Sequence, residues 1–319
     1  MDSISKTKLT VGQINELTQN AFGSPAVSIS ENDSGYFGAL YFVTLPGREA
    51  VLKTGPTSGV KVMRYEKDIM RAEVDALRLV RARSDVPAPE ALFYDASRKF
   101  GDFEYFFMEK LNGADLNAIS PQLTEGQKSE IMFEVGQLNK RINDITGEKF
   151  GLLAQPDKQS ADWETAFKWM IGGVLADGRD AGVGLPLPYS EVEGIIAKFL
   201  CACAGVTVPK LVHWDLWPGN ILVGNGKITG IVDWERALWA DPLMEYGFWD
   251  KPPNKDYCAG YGMDFAALDK NARIRRALYD LYLSLILKIE CRYRRYEDSP
   301  QNKWSEEVII SSCKAFESM

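Results

Sequence analysis

Histidine is almost missing from this chain: His213 is the only one in 319 residues. Cysteine is sparse and scattered, at 201, 203, 258, 291 and 313. Cys201 and Cys203 form C-x-C, not the C-x-x-C of a zinc or redox motif. The expectation is reduced, structurally buried thiols in a cytoplasmic protein. No run of about 18 apolar residues occurs, so no membrane span is expected. The opening MDSISKTKLT lacks the apolar region of a signal peptide. Basic residues are outnumbered, 37 Lys and Arg against 44 Asp and Glu, for a net charge of −7. That balance argues against a nucleic-acid partner. No G-x-x-x-x-G-K-[ST] loop is present, and GNGKI at 224–228 reads as a hairpin turn instead. Internal repeats and low-complexity linkers are also lacking.

What remains is an ordinary globular composition, 45% hydrophobic and 25% charged. The length suggests two domains or lobes. Thr10 followed by VGQINELTQNAFG reads as a capped helix stopping at Gly23. The next stretch, through Val51-Leu52-Lys53, reads as three strands with a tight turn at Pro46-Gly47. Apolar spacing predicts a helix over 63–82. ALFYD and YFFMEK add two strands, completing a five-stranded antiparallel sheet. From residue 115 helical patterns dominate, over 124–143, 161–181 and 190–204, then again from about 264. Between them NILVG and KITGIVDW form a hairpin at Asn225-Gly226. The layout is α+β: a small lobe over 1–112 and a larger, mainly helical lobe over 113–319.

The chemistry concentrates in LVHWDLWPGN, residues 211–220. Phosphoryl transfer needs a carboxylate to take the proton of an attacking hydroxyl, and neutral or anionic oxygens to hold Mg²⁺. Asp215 and Asn220, spaced D-x-x-x-x-N, offer both from one loop, although Asp and Asn also simply favour turns. The following hairpin ends in I-V-D-W-E, which delivers Asp233 as a second metal ligand. Upstream, Lys53 ends an apolar strand and can reach phosphates if a carboxylate holds it. Glu66 and Glu73 are available, and Glu73 lies deeper in the apolar-periodic part of its helix. Taken singly, Lys53 and the helix glutamates read as solvated surface charges.

Residues 211–247 resemble the catalytic core of the aminoglycoside phosphotransferase family, which is similar to choline kinases and, more remotely, to protein kinases. His213, Asp215 and Asn220 match H-x-D-x-x-x-x-N, and Asp233 falls where the D-F-G aspartate falls. V-L-K, EVDALRLV, VPAPEALFYD and FFMEKLNG extend the resemblance, which weakens after about 260. It implies a two-lobed protein-kinase-like fold with ATP in the cleft. It also implies Asp215 as catalytic base, Asn220 and Asp233 on Mg²⁺, and Lys53 with Glu73 clamping phosphates. Adenine would lie against Met108, Glu109 and Leu111, and Ser34-Gly35 would cover the phosphates. His213 would support the loop rather than act as base.

Trp214 departs from the small residue, often Gly, that many members carry there. It forms either part of a local aromatic core or an aromatic wall for a ring-bearing or cationic acceptor. Family members phosphorylate hydroxyls of aminoglycosides, macrolides, sugars and amino-alcohols. A polyamine-like acceptor would need carboxylates, and Glu235 and Asp241 join Trp214 as substrate candidates, with Glu245 and Asp250 behind them. Asp162, Glu164 and Asp177 of the 161–188 insert are further candidates. The alternatives are a nucleotide-binding scaffold without activity and a protein kinase. The latter is disfavoured because ERALWADPLMEYG leaves no long activation segment and no A-P-E. RYRR at 292–295 reads as a solvated helix face.

Overall fold

Thr10 and Gln13 bond reciprocally, main chain to side chain, at 3.3 and 2.9 Å, which starts helix α1 (Val11–Phe22). The computed structural model describes residues 6–32, 38–296 and 299–319. Beyond α1 lies an antiparallel sheet of β1 (Ser28–Asn32), β2 (Ala39–Leu45), β3 (Arg48–Thr54), β4 (Ala91–Asp95) and β5 (Tyr105–Glu109). Its order is β1-β2-β3-β5-β4. Successive strand residues point to opposite faces. Tyr41, Val43, Leu52 and Phe107 therefore share one face, and Ile14 and Leu17 of α1 cover it. Val51, Phe106 and Met108 point the other way, into the core that contains Val74 and Leu77 of α2 (Ile69–Arg83).

The helix expected over 63–82 is shorter than its apolar spacing suggests. Arg64–Glu66 form a separate 3₁₀ turn, and Asp68 adopts a left-handed backbone (φ 61°) before α2 begins. Glu66 consequently lies off the helix, buried, where it accepts from Met63 N at 2.8 Å.

After β6 (Ala114–Asp115) come α3 (Leu116–Ile119) and α4 (Glu125–Asn143), then β7 (Gly151–Leu152), α5 (Trp163–Asp180) and α6 (Tyr189–Phe199). Strand β8 (Lys210–Val212) leads into the 213–220 loop. The hairpin β9 (Ile221–Gly224) and β10 (Lys227–Ile231) follows it, then β11 (Leu238–Ala240). Asn225 and Gly226 both have positive φ (53° and 75°), the turn that matches strand twist. Helices α7 (Lys255–Tyr261), α8 (Lys270–Arg294) and α9 (Pro300–Ala315) complete the chain. Two three-stranded sheets, β10-β9-β6 and β7-β11-β8, frame the loop.

One apolar core runs from α2 through α5 to α8 without interruption at residue 112. Crossing of α4 and α7 depends on glycine: a Cβ at Gly260 would overlap the Phe133 carbonyl, and one at Gly136 the Tyr257 carbonyl. Asn143 of α4 uses this closeness. It accepts from Tyr261 Oη (2.8 Å) and donates to Leu211 O (2.7 Å), anchoring the strand that enters the loop. Among the described residues no helix is long and apolar enough to cross a membrane.

Candidate active site

Strand alternation points Lys53 to the same side as Val51, toward α2. Its Nζ lies 2.6 Å from Glu73, 2.7 Å from Asp233 and 2.8 Å from Glu235. Burial works against the ammonium, but the three carboxylates outweigh it and raise its pKa well above the ordinary value. One ammonium among three carboxylates leaves a surplus of negative charge. Burial raises Glu73 and Glu235 against the pull of Lys53, while Lys53 overcomes burial at Asp233 and lowers it. Glu73 Oε1 is buried without a partner. The carboxylates of Glu73, Asp233 and Glu235 approach within 4.8 Å of one another. Lys53 between them accounts for that. The Asp233 side chain, 37% exposed, is the one that opens to solvent.

The catalytic-loop candidates are held by Val232 and Glu245. His213 is fully buried, and its Nε2 donates to Val232 O at 3.0 Å. Its Nδ1 accepts from Asp215 N–H at 3.2 Å, so the ring is a neutral tautomer. Burial lowers its pKa to about 4, and it packs edge-on against Trp234. Val232 N donates to Asn220 O at 3.0 Å. Both sides of one residue thus tie the end of β10 to the loop, which places Asp233 beside Asn220. Asn220 Nδ2 donates to Asp215 O (2.8 Å) and Oδ2 (3.2 Å), leaving its amide oxygen available. Burial pushes the Asp215 carboxyl up to about 7. Arg236 opposes that, and Asp233, Glu235 and Glu290 add to it.

Oxygen donors from Asn220 and Asp233 beside surplus negative charge suit a hard divalent cation such as Mg²⁺. At the far end of β5, Met108 packs in the core and Glu109 accepts from Glu90 N at 3.2 Å. Leu111 packs against Gly230 of β10. Ser34 and Gly35 lie outside the described residues.

Several expectations change. Trp214 is 1% exposed and stacks on Tyr282 of α8 (5.2 Å, 3°), so it presents no wall to an acceptor. Asp241 is taken by Arg275 (2.7 Å) and Tyr279 Oη (2.9 Å), and it caps Leu243 N at 3.1 Å. It is unavailable to a cationic substrate. Glu235 is committed to Lys53 rather than to an acceptor. Glu245 is buried, accepting from the main chain of His213 (3.1 Å), Trp214 (3.3 Å) and Tyr246 (2.9 Å). Asp177 binds Arg64, through its main-chain N–H at 2.8 Å and its guanidinium, and Asp162 caps α5. Arg294 of the RYRR run is buried against Glu66 (2.7 Å) and Glu290 (3.2 Å). Arg236 was missed, and Glu245, expected only as an acceptor candidate, instead holds the loop. Both follow Asp233 closely in sequence, but nothing in a local pattern separates a buried charge from a surface one.

Residues 28–268 match the model of a phosphotransferase enzyme family. The chain belongs to that family. It is a small-molecule phosphotransferase acting on an alcohol group, with the kinase-like fold. It is similar to the chloroplastic protein-ribulosamine 3-kinase of Arabidopsis thaliana, 24% identical over 88% of this chain and 80% of that protein. A candidate fructosamine-3-kinase of Haemophilus somnus 129PT is similar in structure, with TM-score 0.68, 18% identity and coverage of 94% and 96% of the two chains. A thermostable mutant of aminoglycoside phosphotransferase APH(4)-Ia, in ternary complex with AMP-PNP and hygromycin B, matches this phosphotransferase with TM-score 0.68. That match has 17% identity and covers 95% and 98% of the chains.

Proposed function

We propose that this phosphotransferase moves the γ-phosphoryl group of ATP, with Mg²⁺, to a hydroxyl of a small molecule: an aminoglycoside-like compound, an amino-alcohol or a sugar. The observation that carries the reading is the union of Lys53, Glu73 and Asp233 beside a loop presenting Asp215 and Asn220. The AMP-PNP complex of the related fold supports ATP as donor. In this reading residues 1–112 form the nucleotide-binding lobe, with adenine held along Met108, Glu109 and Leu111. Residues 113–319 carry the acceptor site.

Lys53, oriented by Glu73, binds phosphate oxygens. Asp215 accepts the acceptor's hydroxyl proton as that oxygen bonds to the γ-phosphorus. The bond to the β–γ bridging oxygen breaks, and ADP leaves with the electron pair. Mg²⁺ held by Asn220 and Asp233 would neutralise charge on the phosphates. A base with a pKa near 7 matches neutral operation. Trp214 is occupied in the core and leaves the loop free for this chemistry.

The test is Asp215→Asn in a coupled ADP-release assay over aminoglycosides, amino-alcohols and sugars. Expected is a loss of about 10²- to 10⁴-fold in kcat with ATP affinity retained. An active Asp215→Asn enzyme would remove Asp215 from the role of base.

A further inference from the structure

A run of contacts leads from the main chain just before Asp215 out to the surface, and the transfer chemistry above uses none of it. On one side Arg236, whose charge acts on Asp215, pairs with Glu290 of α8 at 3.4 Å. Glu290 accepts from Gln301 Nε2, in the first turn of α9, at 2.7 Å. Trp304 stands three residues further along α9, on the same face. It is 41% exposed and meets Trp249 with ring centroids 5.9 Å apart at 31°. Trp249 in turn stacks on Tyr246 at 6.5 Å and 14°. Tyr246 joins the run to the loop. Its N–H bonds Glu245 Oε1, while Glu245 Oε2 holds the main chain at 213 and 214. Burial first, then the charges of Asp250 and Asp215, raise its phenol pKa.

Among the described residues, the buried carboxylates around this run are held by partners. Arg236 and Arg294 neutralise Glu290. Asp241 belongs to Arg275, and Asp177 and Asp180 belong to Arg64. Asp250, next to Trp249, and Glu307, three residues beyond Trp304, are exposed to solvent. A polyammonium compound would meet only these solvent-screened carboxylates and would give up its water for little return. A flat ring face loses poorly held water and gains stacking contact.

We propose that Tyr246, Trp249 and Trp304 form a stacking platform for the acceptor. The chemistry it selects is a hydroxyl compound carrying a neutral ring, whether the C–H face of a sugar or an arene. The inference rests on the phosphotransferase reading of Asp215 and narrows its acceptor.

The experiment compares wild type with Trp304→Ala, whose exposed side chain can be removed without opening the core. Methyl glycosides test the sugar source, benzyl alcohols the arene source, and acyclic amino-alcohols and aminoglycosides the cationic alternative. Expected is a rise of about tenfold in KM for ring acceptors in Trp304→Ala, with kcat and the KM for ATP little changed and Trp304→Phe restoring binding. Which of the two ring arms responds identifies the source. Binding is also read without turnover, by calorimetric titration of the same compounds into Asp215→Asn protein loaded with ADP and Mg²⁺. Unchanged KM and Kd for ring compounds in Trp304→Ala overturn the platform, as does absence of ring binding to the loaded protein. Tighter binding of aminoglycosides than of neutral rings overturns it too. Transfer activity surviving in Asp215→Asn would instead sink the base assignment, leaving the calorimetric result to decide the platform.

Discussion

At pH 7 the His213 ring is neutral, because burial outweighs the Val232 hydrogen bond and the Asp233 charge and brings its pKa down to about 4. The unfolded chain returns it to about 6.5. Between these values the unfolded state binds more protons, so stability falls as pH drops from about 6.5 toward 4. Linkage gives a loss on the order of 2 kcal/mol between pH 7 and pH 5 from this residue. Urea unfolding at both pH values should show that loss in wild type, and a smaller one in His213→Gln. Equal losses would mean that His213 is already charged in the folded protein. At the next residue, Trp214 has φ 64°, a left-handed backbone that costs bulky residues on the order of 1–3 kcal/mol. This explains why a small residue suits the position, and why the Trp persists only with its stack on Tyr282 and its main-chain bond to Glu245. The motif H-x-D-x-x-x-x-N was readable because its spacing is a property of one loop. Which of its two readings Trp214 takes was decided by the fold, since its stacking partner lies 68 residues away on α8.

Among elements, the turn before α2 is fixed from a distance. Arg64 binds Asp180 of α5 at 2.6 Å as well as Asp177, and Glu66 binds Arg294 of α8 at 2.7 Å. These contacts set where α2 starts, and with it where Glu73 meets Lys53. Arg294→Ala leaves Glu66 and part of the Glu290 charge buried without compensation, a loss of about 3–5 kcal/mol. Chemical denaturation checks this. A change below about 1 kcal/mol would show that packing alone seats the turn. Weaker ATP binding should accompany the loss, because Glu73 rides on the displaced helix. The α4–α7 crossing yields a separate expectation. Gly260→Ala drives a methyl group into the Phe133 carbonyl and should cost about 1–3 kcal/mol, seen as a lowered Tm. An unchanged Tm would mean that α7 shifts freely.

For the molecule as a whole, the sheet and the helices share one core on the α2 side. Calorimetry should therefore record a single unfolding transition, and two resolved transitions would contradict that continuity. ADP with Mg²⁺ at about 100 times its Kd should add about 2.7 kcal/mol of stability. Lys53→Ala should lose most of that shift, because Lys53 joins the sheet to Glu73 of α2 and Asp233 after β10. Alternation and helical spacing act over a few residues. That is why the five-stranded sheet, the hairpin at Asn225-Gly226 and the D-x-x-x-x-N loop could be read from residue order, and why Lys53 and Asp233 could be named before any fold was known. Which charges are buried, and by whom, depends on contacts across the chain. Arg275 takes Asp241, Arg294 takes Glu66, and Lys53 takes Glu235, over separations of 34, 228 and 182 residues. Folding decided these pairings because a carboxylate leaves water only where a distant partner arrives to replace it. Local acidity made Glu235 and Asp241 acceptor candidates, and distant cations removed them from that role.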